Sequence, residues 1–117
     1  MENKKAKVAD IVFPRGGGSK EEIRIDSVEL KKAVNVLRAL NHKLRYQIMK
    51  VIDEQKNITV TEIYVKLKIE QSVASQHLAI LRDSEIVTTQ RDGKFIHYSV
   101  NKDRLAEVSK LVTLLAQ

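Results

Sequence analysis

The stretch from Thr59 to Arg91 constrains the fold most, because its residue pattern predicts two short helices followed by a strand. Residues 71–82 (QSVASQHLAILR) show the clearest helical pattern. Apolar side chains recur at the i, i+4, i+7 spacing of one helix face, at Ala74, Leu78 and Leu81. Uncharged, mostly polar side chains follow the same spacing on the opposite face, at Ser72, Ser75, Gln76 and Ala79. The segment is therefore predicted to be an amphipathic helix with one buried side and one uncharged side.

The uncharged side of this helix suits contact with double-stranded DNA. An ordinary solvated helix face carries Glu and Lys pairs, whereas no acidic residue lies between Ser72 and Arg82. Gln can form two hydrogen bonds with an adenine edge, Ser can donate or accept at either base pair, and His can reach guanine or a phosphate. The alternative is that Ser and Gln simply occupy exposed positions.

The residues before this helix predict a shorter helix and a turn. Thr59 and Glu62 have the S/T-x-x-E form of a capping box, which places a helix start near Val60. Residues 68–70 (KIE) are too few for anything but a turn, and Glu70 is a poorer N-cap than Ser or Asp. Two short helices joined in this way, the second with a polar outer face, indicate a helix-turn-helix.

Two β-rich runs after the second helix predict a hairpin. Residues 86–91 and 94–100 flank Asp92-Gly93, a dipeptide that favours a type I′ turn. The expected partners are Arg91 with Lys94, Thr89 with Ile96, and Val87 with Tyr98.

This hairpin would carry two cations near its tip, Arg91 and Lys94. A basic hairpin directly after a helix-turn-helix is a wing, placed to touch a phosphate or the neighbouring minor groove. The alternative is a solvated turn whose charges keep the strand edge from aggregating.

These segments resemble the ArsR/SmtB family of winged-helix transcriptional repressors. The resemblance covers residues 27–116, and rests on residues 37–45 (LRALNHKLR), residues 71–83 (QSVASQHLAILRD) and the Asp92-Gly93 wing. It implies a homodimer on a palindromic operator, with DNA release triggered in many members by a metal ion, an oxidant or another small signal. It also implies that the recognition helix faces DNA through Gln71, Ser72, Ser75, Gln76 and His77.

The composition agrees with a polyanionic partner. The chain of 117 residues is one domain by length, with a formal net charge of +6 and no cysteine for disulfide or thiolate chemistry. Its few aromatic residues are not interleaved with basic ones, which argues against binding single strands.

Residues 1–24 read as a flexible basic arm, and residues 25–117 as the DNA-binding and dimerisation domain. Pro14 precedes a Gly-rich run at 16–18, which favours a link without regular structure. The alternative role is a tail that adds phosphate contacts. Residues 8–13 are too short for a signal sequence, so neither export nor membrane insertion is predicted and the expected location is the cytoplasm.

The first and last helices are expected to pair across a dimer. Residues 27–40 and 102–117 keep apolar residues at helical spacing, and a terminal helix this apolar needs cover that a second copy can supply. The expected interface residues are Leu30, Val34, Leu37, Leu105, Val108, Leu111, Val112 and Leu115. The alternative is docking of the last helix on its own chain. Asn41 is the expected cap of the second helix, and Arg45 is expected to face outward from that helix, where a solvated position is favoured over contact with phosphate.

Neither a metal site nor catalysis is predicted. The resembled family places its metal ligands on the helix before the recognition helix, as Cys, or on the last helix, as Asp-x-His. Here the first of these helices has no Cys, and Lys102 stands where the first carboxylate of the second site would be. No cofactor is expected, and the sequence lacks a nucleophile–base pair, a carboxylate dyad or a true phosphate loop.

The expected fold is mostly α with a β-hairpin wing, a winged helix-turn-helix of about five helices. The expected function is a sequence-specific regulator of transcription that binds double-stranded DNA as a homodimer, represses, and is not controlled by metal. The alternative is a winged-helix module that binds a partner protein and no specific DNA. The operator, the regulated genes, the inducer, the role of the N-terminal arm and the choice between repression and activation stay open.

Overall fold

The computed structural model describes residues 9–117. Its helices are α1 (Ser27–Leu40), α2 (Lys43–Gln55), α3 (Val60–Leu67), α4 (Gln71–Asp83) and α5 (Lys102–Leu115). Its strands are β1 (Ile11–Gly16), β2 (Ser19–Ile25), β3 (Ile58–Thr59), β4 (Val87–Asp92) and β5 (Phe95–Val100). The described residues fall into two compact units, one ending at Leu37 and the other spanning Arg38–Gln117.

The second unit is a winged helix-turn-helix, which confirms the expected fold class. Strands β3, β5 and β4 form an antiparallel sheet in that order, and α3 and α4 pack against each other. The largest fully buried side chains, all apolar, come from α2, α3, α4 and the start of the wing: Ile48, Ile52, Ile63, Leu78, Leu81, Ile86 and Val87. This core fixes the two helices and the wing in one frame.

The start of α3 follows the predicted capping box. The Thr59 hydroxyl accepts from the Glu62 backbone N–H at 3.3 Å, and the Glu62 carboxylate accepts from the Thr59 backbone N–H at 2.9 Å. This backbone hydrogen bond from Thr59 is the main reason that the pKa of Glu62 lies below its usual value. At the start of α4, Glu70 makes no side-chain capping bond, in line with its poor rank as a cap.

Thr59→Ala is expected to lower the free energy of unfolding by about 0.5–2 kcal/mol, because the backbone N–H of Glu62 loses the hydroxyl that accepts from it. Urea titration measures the change, with Thr61→Ala as the control, since Thr61 is exposed on the same helix. Equal effects of the two substitutions would contradict a role for the capping box.

The wing has a different register from the expected one. Asp92 pairs with Phe95, Arg91 with Ile96, and Thr89 with Tyr98, so the two turn residues are Gly93 and Lys94. Of these two, only Gly93 has a positive φ, 62°. A type I′ turn needs two positive φ values, whereas a type II′ turn needs one, at a Gly in the first central position. The turn is therefore shifted by one residue: the first strand ends one residue later than expected and the second begins one residue later, while the partition of side chains between the two faces is unchanged.

Residues 11–25 form an antiparallel hairpin in place of the expected link without regular structure. Ile11 pairs with Ile25 and Phe13 with Ile23, so four apolar side chains share one face. Gly17 and Gly18 form the turn with positive φ values, and the register is irregular between Pro14 and Gly16, a position at which proline is tolerated in a strand. Residues 1–8, with the remaining lysines of the expected arm, lie outside the described part.

The hairpin is not a basic surface. Residues 9–25 contain three basic and three acidic residues. Arg15 lies 3.6 Å from Glu21, and Arg24 lies 3.1 Å from Glu22. These pairings give no support to phosphate contact by the hairpin itself.

Candidate nucleic-acid interface

The outer face of α4 is exposed over its N-terminal half. Gln71, Ser72, Ser75 and Gln76 are all exposed. Ala74, Leu78 and Leu81 are buried on the other side, at 0–2% exposure, which confirms the predicted amphipathic pattern. The first turn of α4 contains no acidic residue. The N-terminal half of α4 thus presents amide and hydroxyl groups and no carboxylate that would repel phosphate.

His77 is set apart from the other four predicted contact residues, because its ring is partly buried. Its Nδ1 lies 3.1 Å from a terminal nitrogen, Nη1, of Arg45 on α2. Its ring centroid lies 4.8 Å from that of His42, with the two planes tilted by 50°. The structure therefore places one edge of the His77 ring against the residues that begin α2.

Arg45 was assigned to a solvated helix face by the sequence analysis, and that assignment is wrong. The residue is only 9% exposed. Its Nε donates to the Ala39 carbonyl at 2.8 Å, and its Nη2 donates to the Arg38 carbonyl at 3.0 Å. The spacing offered a signal, because Arg45 precedes the buried Ile48 by three residues and so lies on the same helix face.

His42, and not Asn41, caps α2. The His42 Nδ1 accepts from the Arg45 backbone N–H at 3.4 Å, and the residue has extended backbone angles. The corner between α1 and α2 is thus tied to α4 through His42, Arg45 and His77. Burial, His42 and Arg45, in that order, lower the pKa of His77 from its usual value.

The tip of the wing carries both predicted cations. Arg91 and Lys94 are exposed. The Arg91 guanidinium donates to the Gly93 carbonyl at 3.4 Å, and the Lys94 ammonium lies 5.6 Å from the centre of the Phe95 ring. In the middle of β5, the His97 Nδ1 lies 2.5 Å from the Asn57 carbonyl oxygen. Neither contact at the tip uses a carboxylate, so both charges stay available to an anion.

The residues expected at a dimer interface differ in exposure. Leu111, Val112 and Leu115 of α5 are 42–66% exposed, and so is Leu114, which the sequence analysis did not include. On α1, Leu30 is 43% exposed, while Val34 and Leu37 are half-buried, as is Leu105 of α5. Val108 differs from the expectation, since at 9% exposure it belongs to the core of its own chain and has little surface left for a partner.

Within residues 9–117, no group of three or more His, Cys, Asp or Glu side chains is arranged to hold a metal ion. Among the helices of this same part, none has the length and apolar character needed to cross a membrane.

The family model described as bacterial regulatory protein, arsR family, matches residues 42–89, which include α2, the helix-turn-helix and the start of the wing. The transcriptional repressor PagR of Bacillus anthracis is 30% identical over 89 residues, covering 76% of this chain and 89% of PagR. The chain belongs to the ArsR family. It is a DNA-binding regulator of transcription with the winged helix-turn-helix fold.

The relatives of this ArsR protein include both repressors and an activator of transcription. The transcriptional activator HlyU of Vibrio cholerae is 32% identical over 84 residues, covering 72% of this chain and 74% of HlyU.

The crystal structure of PagR superimposes with a TM-score of 0.59 at 30% identity, covering 74% of this chain and 99% of that one. The ArsR fold therefore extends over about three quarters of the chain.

Proposed function

We propose that this ArsR protein is a homodimeric repressor that reads a two-fold symmetric DNA operator with α4. Gln71, Ser72, Ser75 and Gln76 contact base edges in the major groove, while Arg91 and Lys94 contact the backbone. One observation carries this proposal: the exposed face of α4 is uncharged and polar, while the opposite face is locked into the core. Residues 25–117 hold both the DNA-binding and the dimerisation parts.

The exposed apolar rows support dimerisation. Leu111, Val112 and Leu115 on α5 and Leu30 on α1 are large apolar side chains more than 40% exposed in the single chain. A second copy covers such rows by two-fold symmetry, since the same surface serves both partners. A two-fold dimer also presents two copies of α4 to one duplex. In helix-turn-helix dimers the two half-sites lie about 34–36 Å apart, which is one helical turn of DNA.

Repression is the proposed direction, because a dimer bound over a promoter excludes polymerase from the same DNA. PagR is named a repressor and HlyU an activator, so transcription in vitro from a promoter carrying the operator decides between them. Repression predicts fewer transcripts as protein is added, and more transcripts would show activation.

Control by metal or thiol oxidation is not part of the proposed function, and neither are catalysis and export from the cytoplasm. The absence of cysteine and the presence of Lys102 and Arg104 at the start of α5 support the first point, since cations do not ligate a metal ion. Calorimetry tests it: tight, stoichiometric zinc or nickel binding coupled to weaker DNA affinity would overturn it.

Selection of bound duplexes from a random pool tests DNA reading directly. The expected result is a two-fold sequence with half-sites one helical turn apart, bound by two chains with an affinity that falls steeply with salt. Recovery of no preferred sequence, with weak binding to all duplexes, would favour the alternative of a winged-helix module that binds a partner protein.

Removal of either wing cation, in Arg91→Ala or Lys94→Ala, is expected to weaken binding to all duplexes alike. The slope of log K against log salt should fall by about 1 for each lost phosphate contact. Lys110→Ala is the matched control, because it removes the same charge from an exposed position on α5. An unchanged slope in both wing variants, or the same change in Lys110→Ala, would rule out phosphate contact by the wing.

A further inference from the structure

A buried guanidinium joins three parts of the second unit. Arg45 donates to two carbonyls in the last turn of α1, those of Arg38 and Ala39, and its third contact is the Nδ1 of His77. His77 follows Gln76 directly on α4, so this contact fixes the helix at the middle of its exposed polar face.

The contact specifies the protonation of the imidazole. A guanidinium has five N–H donors and no acceptor, so the Nδ1 of His77 must accept and must carry no proton. The ring is then neutral with its proton on Nε2. A second proton on Nδ1 would leave two donors facing each other at 3.1 Å and two cations in contact.

We propose that neutral His77 is a positioning residue for DNA recognition, holding α4 against Arg45, and that protonation of its ring releases α4 and weakens operator binding. The proposal rests on the proposed reading of DNA by α4. It assigns to the protein a sensitivity to acid that needs neither a metal ion nor a cysteine.

The groups that face His77 all act in the same direction. Arg45 on α2 is a permanent cation, and His42, just before α2, is a second ring that repels a proton on His77. Partial burial adds to both, so the pKa of His77 lies below its usual value. The neutral ring is therefore the stable form at neutral pH. Its contribution to the stability of the fold is complete above about 6.5, the pKa of histidine in an unfolded chain, and is lost as the pH falls from there through the lower pKa of the folded protein.

Direct contact of His77 with phosphate makes the opposite prediction. An imidazolium that bound phosphate would favour protonation, and DNA affinity would rise as the pH fell. The sign of the pH dependence thus separates a positioning role from a phosphate contact.

The experiment measures operator affinity from pH 8 down to the lowest pH at which circular dichroism shows a folded protein. Affinity of the natural chain is expected to fall on the order of tenfold for each pH unit in which one proton is taken up. His77→Asn should bind more tightly than His77→Leu at pH 8 and lose the pH dependence, since its amide oxygen can accept from Arg45 and does not titrate. His77→Leu lacks the acceptor and should bind weakly at every pH.

His42→Asn is the matched control, because Asn keeps an N-cap acceptor and removes the imidazole that lies against His77. It should retain the acid-dependent loss of affinity. Affinity that rises with acid, or a loss that persists in His77→Asn, would overturn the proposal.

A measurement on the protein without DNA tests the contact between His77 and Arg45 independently of DNA reading by α4. Imidazole nitrogen shifts in NMR spectra should show Nδ1 of His77 without a proton at neutral pH. A protonated Nδ1 overturns the positioning contact, whether or not the protein binds DNA. If Nδ1 carries no proton but the protein binds no specific DNA at pH 8, the proposed function is refuted and the positioning contact is not.

Discussion

Leu78→Ala is expected to lower the free energy of unfolding by about 2–5 kcal/mol, the range for leucines truncated in well-packed cores. Leu78 is 2% exposed and stands on the buried side of α4, two residues after Gln76. The cost combines the lost burial of the side chain with the cavity left between helices that already pack closely. Because the buried side chains of α4 hold this helix against the core, operator affinity should fall together with the free energy of unfolding.

Urea unfolding at one fixed chain concentration measures the change, since the stability of any dimer depends on concentration. Val65→Ala is the control, as its side chain on α3 is 62% exposed and its truncation should change stability by no more than about 0.5 kcal/mol. A Leu78→Ala protein as stable as the control would mean that α4 does not rest on this core.

The sequence predicted the helix-turn-helix well, because each part of it is specified by local chemistry. The capping box at Thr59 and Glu62 determines where α3 begins, and the spacing of Ala74, Leu78 and Leu81 determines which side of α4 is buried. These signals need only the geometry of a single helix. The roles of the exposed residues on DNA depend on a second molecule, and stay predictions.

The hairpins were harder to predict, because their signals are shared by more than one structure. Asp92-Gly93 suits a type I′ turn, yet Gly93 also suits the first central position of a type II′ turn, and strand pairing selects the second. At the N-terminus, glycines that favour a linker also form a tight turn when apolar residues on the two sides can pair.

The contact between Arg45 and His77 could not be predicted from either helix alone. A charged residue on a helix is solvated in most proteins, and burial of Arg45 becomes favourable only because two carbonyls at the end of α1 and one imidazole on α4 receive its donors. These partners are 6, 7 and 32 residues away along the chain. The three-residue spacing from Ile48 is compatible with a buried Arg45, but only the tertiary structure supplies the acceptors that make its burial favourable.

Gln76→Ala is expected to reduce discrimination at one base pair in each operator half-site by about 1–3 kcal/mol. Gln76 is exposed at the middle of α4, and its amide can both donate to and accept from an adenine edge. In a two-fold complex the loss occurs twice, so the full operator should lose more affinity than either half-site. The measurement is the affinity of the variant for a set of operators, each with one base pair changed. At the position that Gln76 reads, the variant should bind operators with any of the four base pairs equally well.

Gln47→Ala is the matched control, because it removes an exposed amide from α2 and leaves α4 intact. It should bind every operator variant as the natural chain does. Nonspecific duplexes supply the second comparison, since base contacts add little to binding that depends on phosphate charge. A Gln76→Ala protein that loses affinity equally for operator and nonspecific DNA would show that Gln76 serves the backbone, and base reading would then have to come from Ser72 or Ser75 on the same exposed face.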